Sequence, residues 1–147
     1  MAKIGQRRGA RGFLTERRGT AAVEFAILSP LYLLLLMGMT AYGIYFGASH
    51  SVQQIAADAA RVAISGLDEA ERQTLARDFV ARHARGYVFI EPEALSVEVA
   101  DDPVDASQFV VAVAYDAGGL PIWGLFEGLA MPGKTIRRTS TIRVGGM

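Results

Sequence analysis

The feature that most constrains this chain is a long stretch without charged side chains. From Phe25 to Ala57 there is no Asp, Glu, Lys or Arg. A membrane-crossing helix needs about 20 mainly apolar residues, whereas a cleaved secretory signal has an apolar core of only about 7–15 residues. Residues 25–48 satisfy the first length and are too long for the second. We therefore predict a retained transmembrane helix, which we place at residues 20–48.

Charge is distributed unevenly around this stretch, although the formal net charge of the chain is zero. Residues 1–19 hold six basic side chains and one acidic side chain, whereas residues 49–147 hold nine basic and thirteen acidic ones. Basic flanks of membrane helices stay in the cytoplasm. The pattern predicts a single-pass inner-membrane protein with a basic cytoplasmic leader at 1–19 and one domain, 49–147, on the periplasmic or extracellular side.

Few residue types that perform catalysis or hold metals are present. The chain has no cysteine, and its two histidines, His50 and His83, are far apart in the sequence. Disulfides, thiolate metal sites and cysteine nucleophiles are therefore excluded, and a histidine-based metal site is disfavoured. No nucleophile beside a base is recognisable, and Asp101 and Asp102 lie in a turn signal. We predict no enzyme activity, no cofactor, no metal and no nucleic-acid partner.

Helical periodicity continues beyond the apolar stretch. In residues 49–66, apolar side chains recur three and four positions apart, and Gly66 is a plausible end. One helix is therefore predicted from Thr20 to Ser65. A second helix is predicted in residues 67–86, where Asp68 caps the N-terminus in a capping-box pattern completed by Glu71. The apolar face of this second helix consists of Leu75, Ala76, Phe79, Val80 and Ala84. A solvated face is predicted for its arginines, which are Arg72, Arg77, Arg82 and Arg85, with Glu71 and Asp78 as partners. A basic surface for membrane lipid is the less favoured alternative.

Three strands are predicted after the helices. Residues 94–100 alternate apolar and polar side chains, residues 108–117 are apolar on both faces and predict the central strand, and residues 135–145 carry arginines that blunt an edge. The fold class is therefore α+β: a long N-terminal helix, a second helix and a small antiparallel sheet. The apolar segment 117–134 is expected to be partly buried over the sheet, and an exposed patch for the membrane or a partner is the alternative.

A specific motif stands at the head of the apolar helix, in "RRGTAAVEFAILSPLYLLLLMGM". Gly19 is followed by four residues and then by Glu24 and Phe25, behind a basic leader. This pattern resembles the class III signal sequences of Flp pilins and of the TadE and TadF pseudopilins. The segment is similar to the TadE-like family of tight-adherence (Tad) pilus systems, and the resemblance covers the N-terminal third of the chain.

The resemblance implies a function and a set of roles. A prepilin peptidase would cut between Gly19 and Thr20, which makes Glu24 the fifth residue of the mature chain. Glu24, with Phe25 beside it, would set the register of assembly by pairing with the new amino group of a neighbouring subunit. The protein would be a pseudopilin or minor pilin of a Flp type IVb pilus at the cell envelope. Its partners would be the peptidase, other pilins and pseudopilins, the assembly machinery and the membrane.

Four alternatives are open at this point. Glu24 is also placed to snorkel into headgroup water and to stabilise the positive end of the helix dipole. Gly43 and Gly47 suit close packing of membrane helices, but glycine is common in such helices in any case. As a function, the alternative is an unprocessed single-pass inner-membrane protein with an outer binding or scaffold domain. A third class, an envelope enzyme or transporter accessory protein, has no recognisable site.

Overall fold

The computed structural model describes residues 13–125 and 132–144. It confirms the predicted α+β class, with a long N-terminal helix, a second helix and a three-stranded antiparallel sheet in the order β1-β2-β3. The helices and strands are α1 (Phe13–Ala63), α2 (Glu69–His83), β1 (Leu95–Asp101), β2 (Gln108–Asp116) and β3 (Thr135–Arg143). The chain divides into two compact units, Met1–Met39 and Thr40–Met147.

The described part of the first unit is residues 13–39 of α1. The helix begins at Phe13, well before the predicted start at Thr20. Its large apolar side chains from Val23 to Met39 are exposed, and Phe25 reaches 73%. Within the described residues, α1 is the one helix with the length and composition to cross a membrane.

In the second unit, residues 40–63 of α1 bury one face in the core. The fully buried side chains of this face are Ala48, Val52, Ile55, Ala56, Ala59, Ala60 and Ala63. Most of them are alanines, and small side chains let the helix approach its neighbours closely. The helix ends at Ala63, whose carbonyl accepts a hydrogen bond from the Gly66 N–H at 3.0 Å. The predicted stop near Gly66 is confirmed.

The start of α2 is capped as the sequence predicts. The Glu71 N–H donates to the Asp68 carboxylate at 2.8 Å, and the Glu71 carboxylate accepts the Leu67 N–H at 2.7 Å. The first bond satisfies a donor that the first turn of a helix leaves without a partner, and the second ties the residue before the cap to the helix. The buried residues of the predicted apolar face are Ala76, Val80 and Ala84, and Leu75 and Phe79 are partly buried.

Strand β2 occupies the centre of the sheet, as predicted, and its two faces differ. On the inner face, Phe109, Val111, Val113 and Tyr115 are buried. On the outer face, Glu98 of β1 and Arg137 of β3 form an ion pair of 3.0 Å across β2. The second apolar face of β2 therefore consists of short side chains beneath an ion pair rather than of a second core.

The free edge of β1 is blocked by α2. The Gln73 side-chain amide donates to the Val97 carbonyl at 3.0 Å and accepts the Val99 N–H at 2.7 Å. One side chain thus binds two backbone groups that an added strand would need. At these two groups the edge is consequently closed to pairing with another chain.

Arg72 corrects the prediction that the arginines of α2 form a solvated face. Its side chain is 11% exposed, pairs with Asp101 at 2.5 Å, and lies 5.1 Å from the centre of the Phe109 ring. The prediction was wrong here because helical periodicity does not reveal a partner on a distant strand. Arg77, Arg82 and Arg85 are exposed as expected.

The apolar segment after β2 is partly buried in the portion that the structure describes. Leu120 and Ile122 are buried, and the Trp123 indole N–H donates to the Ala117 carbonyl at 2.6 Å. The predicted partial burial is confirmed for these residues. Phe126, Leu129 and Met131, also apolar residues of the segment, lie outside the described residues.

Candidate processing and assembly site

The four residues of the motif lie in the first unit, on α1. Gly19, Thr20, Glu24 and Phe25 are all exposed. A Cβ added to Gly19 would meet no atom within 4 Å. Thr20 and Glu24 are four residues apart, so they lie on one face of the helix, separated by about 6 Å along its axis. The helix thus presents the predicted cut and the predicted register residue on an open surface.

The Gly19–Thr20 peptide is helical, which bears on how a peptidase would reach it. A peptidase that binds its substrate as an extended chain would first have to unwind this peptide locally. Glycine makes this step easier, because it lowers helix stability by about 1 kcal/mol relative to alanine. Gly19 therefore marks a weak point of the helix at the predicted cleavage site.

Glu24 is the only charged side chain between Gly19 and Ala57. A carboxylate costs about 2.5–3.5 kcal/mol at the centre of a bilayer, and less near its surface. The described side chains of the first unit include no basic partner for it. A positively charged group from outside these residues would therefore lower the free-energy cost of placing the Glu24 carboxylate in the bilayer.

The structure shows different surroundings for Gly43 and Gly47, the two candidate positions for packing against neighbouring helices. A Cβ added to Gly43 would meet no atom within 4 Å, whereas one added to Gly47 would lie 2.9 Å from the Phe89 ring. Gly47 is thus occupied by a contact within the chain, and Gly43 stays open. The spacing of the two glycines gave no sign of this difference, because Phe89 is distant in the sequence.

Comparison with known families decides what this segment is similar to. Residues 19–61 match the model of the family described as "TadE-like protein". The segment is similar to TadE-like proteins. The resemblance predicted from the motif is thereby confirmed, and at the level of the family the match supports a Tad pilus-associated protein. No curated protein and no solved structure matches the chain.

The TadE-like match begins at Gly19, the residue before the predicted cut, and ends within the last turn of α1. It covers less than a third of the chain and includes no part of the sheet. The family resemblance therefore rests on the helix, and the sheet must be interpreted from its own residues.

Contacts that the sequence did not reveal fasten α1 within the second unit. The Tyr45 hydroxyl donates to the Gly133 carbonyl at 3.1 Å, and the Tyr87 hydroxyl donates to the Asp58 carboxylate at 2.8 Å. Burial, together with the bond to Asp58, raises the pKa of Tyr87 to about 12. The Tyr45 bond depends on a loop that sequence periodicity does not place.

The acidic turn between β1 and β2 has a structural explanation. Asp102 accepts the N–H groups of Val104 and Asp105. Hydrogen bonds from Ser107 and Gln108, with the Arg143 charge as a smaller contribution, lower the pKa of Asp105 to about 2. Within residues 13–125 and 132–144, no group of three or more acidic or histidine side chains is placed to hold a metal.

Proposed function

We propose that the chain is a TadE-like pseudopilin or minor pilin that takes part in assembling a tight-adherence (Flp, type IVb) pilus. The observation that carries the proposal is the TadE-like match, which starts at Gly19 and continues along an exposed apolar helix. Its partners in this role are the membrane, a prepilin peptidase, other pilins and the assembly machinery. The pilus would act in adhesion at the cell envelope.

The membrane span in this proposal is residues 21–40 rather than 20–48. Residues 41–48 belong to the second unit, where Ala41 and Ala48 are buried. Twenty helical residues rise about 30 Å, which is the thickness of the hydrocarbon core. In this proposal the N-terminus lies in the cytoplasm, where basic flanks of membrane helices stay, and the second unit lies outside the inner membrane. An export-dependent reporter should be active after Met147 and inactive before Met1, and activity only at Met1 would reverse this topology.

Maturation would begin with cleavage between Gly19 and Thr20 on the cytoplasmic face. Gly19→Val should block the cut, because a branched side chain stiffens the helix and crowds the peptide. Expressed with a matching peptidase, the variant should run about 2 kDa heavier than wild type, the mass of the leader. N-terminal sequencing of the wild-type membrane form should begin at Thr20. A wild-type sequence that begins at Met1 under these conditions contradicts processing.

Glu24 would act after cleavage. The cut creates an α-amino group on Thr20, and two opposite charges in a poorly hydrated setting are costly apart and stable together. Within one chain the two groups are a helical turn apart, whereas neighbouring helices in an assembly bring one subunit's carboxylate to another's amine. Each subunit contributes both partners, so the pair would define the axial register between helices.

The test of this role is Glu24→Gln, which keeps size and hydrogen bonding but removes the charge. We expect normal insertion and cleavage, a loss of a few kcal/mol per subunit contact, and no pili by electron microscopy. Glu93→Gln is the matched control, because Glu93 is an exposed acid whose side chain is 76% accessible in the second unit. It should produce wild-type pili. Wild-type pili in the Glu24→Gln strain would leave Glu24 as a snorkelling residue with no part in assembly.

The second candidate is an unprocessed single-pass protein whose outer unit binds or scaffolds. Its supporting observation is the helical conformation of the Gly19–Thr20 peptide, which a peptidase would have to unwind. This candidate expects Met1 at the N-terminus of the mature protein and no effect of Gly19→Val on its mass. The sequencing experiment above therefore separates the two candidates.

A further inference from the structure

Alternate residues of β1 direct their backbone groups away from β2. The Asp102 N–H donates to the Gln108 carbonyl at 2.9 Å, one step beyond the last register pair of the two strands. In an antiparallel pair, the N–H and C=O of one residue point to the same side, and those of the next residue point to the other side. The even-numbered residues of β1 therefore bond to β2, and Leu95, Val97 and Val99 present their backbone groups at the edge.

Several of these edge groups already have partners. The Gln73 side-chain amide binds the Val97 carbonyl and the Val99 N–H. The Leu95 N–H donates to the Pro92 carbonyl in the short 3₁₀ turn before the strand. The Leu95 carbonyl and the Val97 N–H, which lie between these groups along the edge, have no hydrogen-bond partner among the described residues. One acceptor and one donor are thus open side by side.

The open pair borders a cavity between α2 and the start of β1. The cavity has a volume of about 320 Å³, and its lining includes Val80, Leu95 and Val97. Val80 and Val97 are buried, so the inner wall is apolar. Sites for small ligands have volumes from about 300 Å³ and mainly apolar walls. The cavity is therefore large enough to take the end of a peptide.

Arg77 is the charged residue in the lining of this cavity. It follows Gln73 by one turn of α2, so the two residues lie on one face of the helix and Arg77 stands at the next position along the edge. Its side chain is exposed, and none of the ion pairs within residues 13–125 and 132–144 includes it. The guanidinium is thus available to an anion from another molecule.

The open pair fixes the direction of a peptide that binds at this edge. Antiparallel pairing uses the N–H and the C=O of the same edge residue, and at both Leu95 and Val97 one of these groups is occupied. Parallel pairing instead uses the carbonyl of one edge residue and the N–H of the residue two positions later. The Leu95 carbonyl and the Val97 N–H are such a set. A peptide residue opposite Ser96, in a chain parallel to β1, would satisfy both.

Gln73 fixes where such a peptide ends. A chain that continued parallel to β1 would next need the Val97 carbonyl and the Val99 N–H, which Gln73 occupies. A peptide that stops opposite Ser96 avoids this conflict and ends there in a carboxylate. One carboxylate oxygen accepts the Val97 N–H, and the other is left for the guanidinium of Arg77. Such charge-assisted hydrogen bonds are about twice as strong as neutral ones.

We propose that this cavity binds the free C-terminus of a partner polypeptide, whose last residue pairs with Leu95 and Val97 and whose carboxylate binds Arg77. Strand addition at a sheet edge and capture of a terminal carboxylate are recurring modes of peptide recognition. The apolar wall formed by Val80 and its neighbours favours apolar side chains on the last two residues of the partner. Every residue of the site lies in the second unit, so the inference is independent of processing, of the membrane and of the pilus.

The test uses pentapeptides labelled with fluorescein at the N-terminus, with every pair of apolar residues at the last two positions. Each peptide is made as the free acid and as the C-terminal amide. Binding to the full chain in detergent micelles is measured by fluorescence polarisation. At least one free acid should bind, and its amide should bind at least about tenfold more weakly, because the amide lacks the charge that Arg77 recognises.

Two arginine variants and one backbone group locate the binding. Arg77→Gln should weaken binding of the free acid by about tenfold and leave binding of the amide unchanged. Arg82→Gln is the matched control, because Arg82 is an exposed arginine of the same helix that donates to the Asp78 carbonyl. It should bind like wild type, and circular dichroism confirms that both variants keep the fold. Bound peptide should slow hydrogen exchange of the Val97 N–H several-fold, whereas the Val99 N–H, which is already bonded to Gln73, should change little.

Three results would overturn the proposal. If no free acid of the set binds, the cavity does not accept a terminus of this kind. If acids and amides bind equally, or if Arg77→Gln and Arg82→Gln have equal effects, Arg77 does not recognise the carboxylate. If a peptide binds and the exchange of the Val97 N–H stays unchanged, the peptide lies away from the edge of β1.

Discussion

Phe25 and Phe109 illustrate how differently the two units treat the same side chain. Phe25, in the first unit, is 73% exposed, whereas Phe109, on β2 in the second unit, is fully buried. Burial in water-soluble structure stabilises a folded unit through its own contacts, but an exposed apolar helix acquires its stability from a lipid solvent. The apolar residues of α1 therefore serve two purposes. Up to about residue 40 they are exposed, and beyond it one face of the helix is buried in the core of the second unit.

The largest expected effect tests this comparison directly. Phe109→Ala should lower the free energy of unfolding of the second unit by about 3–5 kcal/mol, because it leaves a cavity beside Arg72 and the sheet. Phe25→Ala, the matched control, should change it by less than about 0.5 kcal/mol. The measurement is urea unfolding of the full chain in detergent micelles, followed through Trp123, the single tryptophan. Equal losses of unfolding free energy for both variants would show that Phe25 contributes as much to the stability of the second unit as Phe109 does.

A smaller effect distinguishes buried from exposed charge within the second unit. Arg72→Met should cost about 1–3 kcal/mol, because it removes the partner of Asp101 and the contact with the Phe109 ring. Arg137→Met removes an ion pair whose two side chains are 57% and 69% exposed, and it should cost less than about 0.5 kcal/mol. The same urea experiment compares them. A greater loss of unfolding free energy for Arg137→Met would show that the outer face of the sheet contributes more to stability than the contacts of Arg72 do.

Local signals in the sequence predicted much of this fold. Asp68 and Glu71 predicted the start of α2, because their side chains bind backbone groups close by in the sequence. Patterns of apolar and polar residues located all three strands. The apolar character of both faces of β2 also placed it correctly in the centre. These features depend on neighbours within a few residues, which sequence patterns record.

Contacts between distant segments were not predictable in the same way. The solvated face expected of α2 failed at Arg72, whose partner Asp101 is on β1, and the packing expected of Gly47 takes no account of Phe89. For the candidate site, Gly19 and Glu24 were located from the motif, and the TadE-like match begins at the first of them. Their roles depend on other molecules, so they stay predictions for the experiments proposed above.

The hydrogen bond between Tyr87 and Asp58 joins the last part of α1 to the loop after α2. The pH dependence of unfolding tests whether this bond stabilises the second unit. The pKa of Tyr87 is raised from 10.0 to about 12 in the folded protein, so the folded state holds the proton more tightly than the unfolded state. The stabilisation is fully present below pH 10 and is lost as the pH rises toward 12. Unfolding measured from pH 9 to 12 should show a steeper loss in wild type than in Tyr87→Phe. Tyr32→Phe, in the first unit, should follow wild type, and parallel curves for all three proteins would contradict the bond.

The smallest expected effect lies at the border between the two regions, where Gly43 and Gly47 are one turn apart. Gly43→Ala should stabilise the second unit by about 0.5–1 kcal/mol, because alanine favours the helix and nothing obstructs its Cβ. Gly47→Ala gains the same helix propensity but pushes the Phe89 ring outward, so it should be less stable than Gly43→Ala by about 1 kcal/mol. In a Phe89→Ala background the obstruction is gone, and the two glycine variants should become equally stable. If the two glycine variants still differ in stability without the Phe89 ring, something other than this loop constrains Gly47. The contact with Phe89 would then no longer be evidence that Gly47 belongs to the second unit.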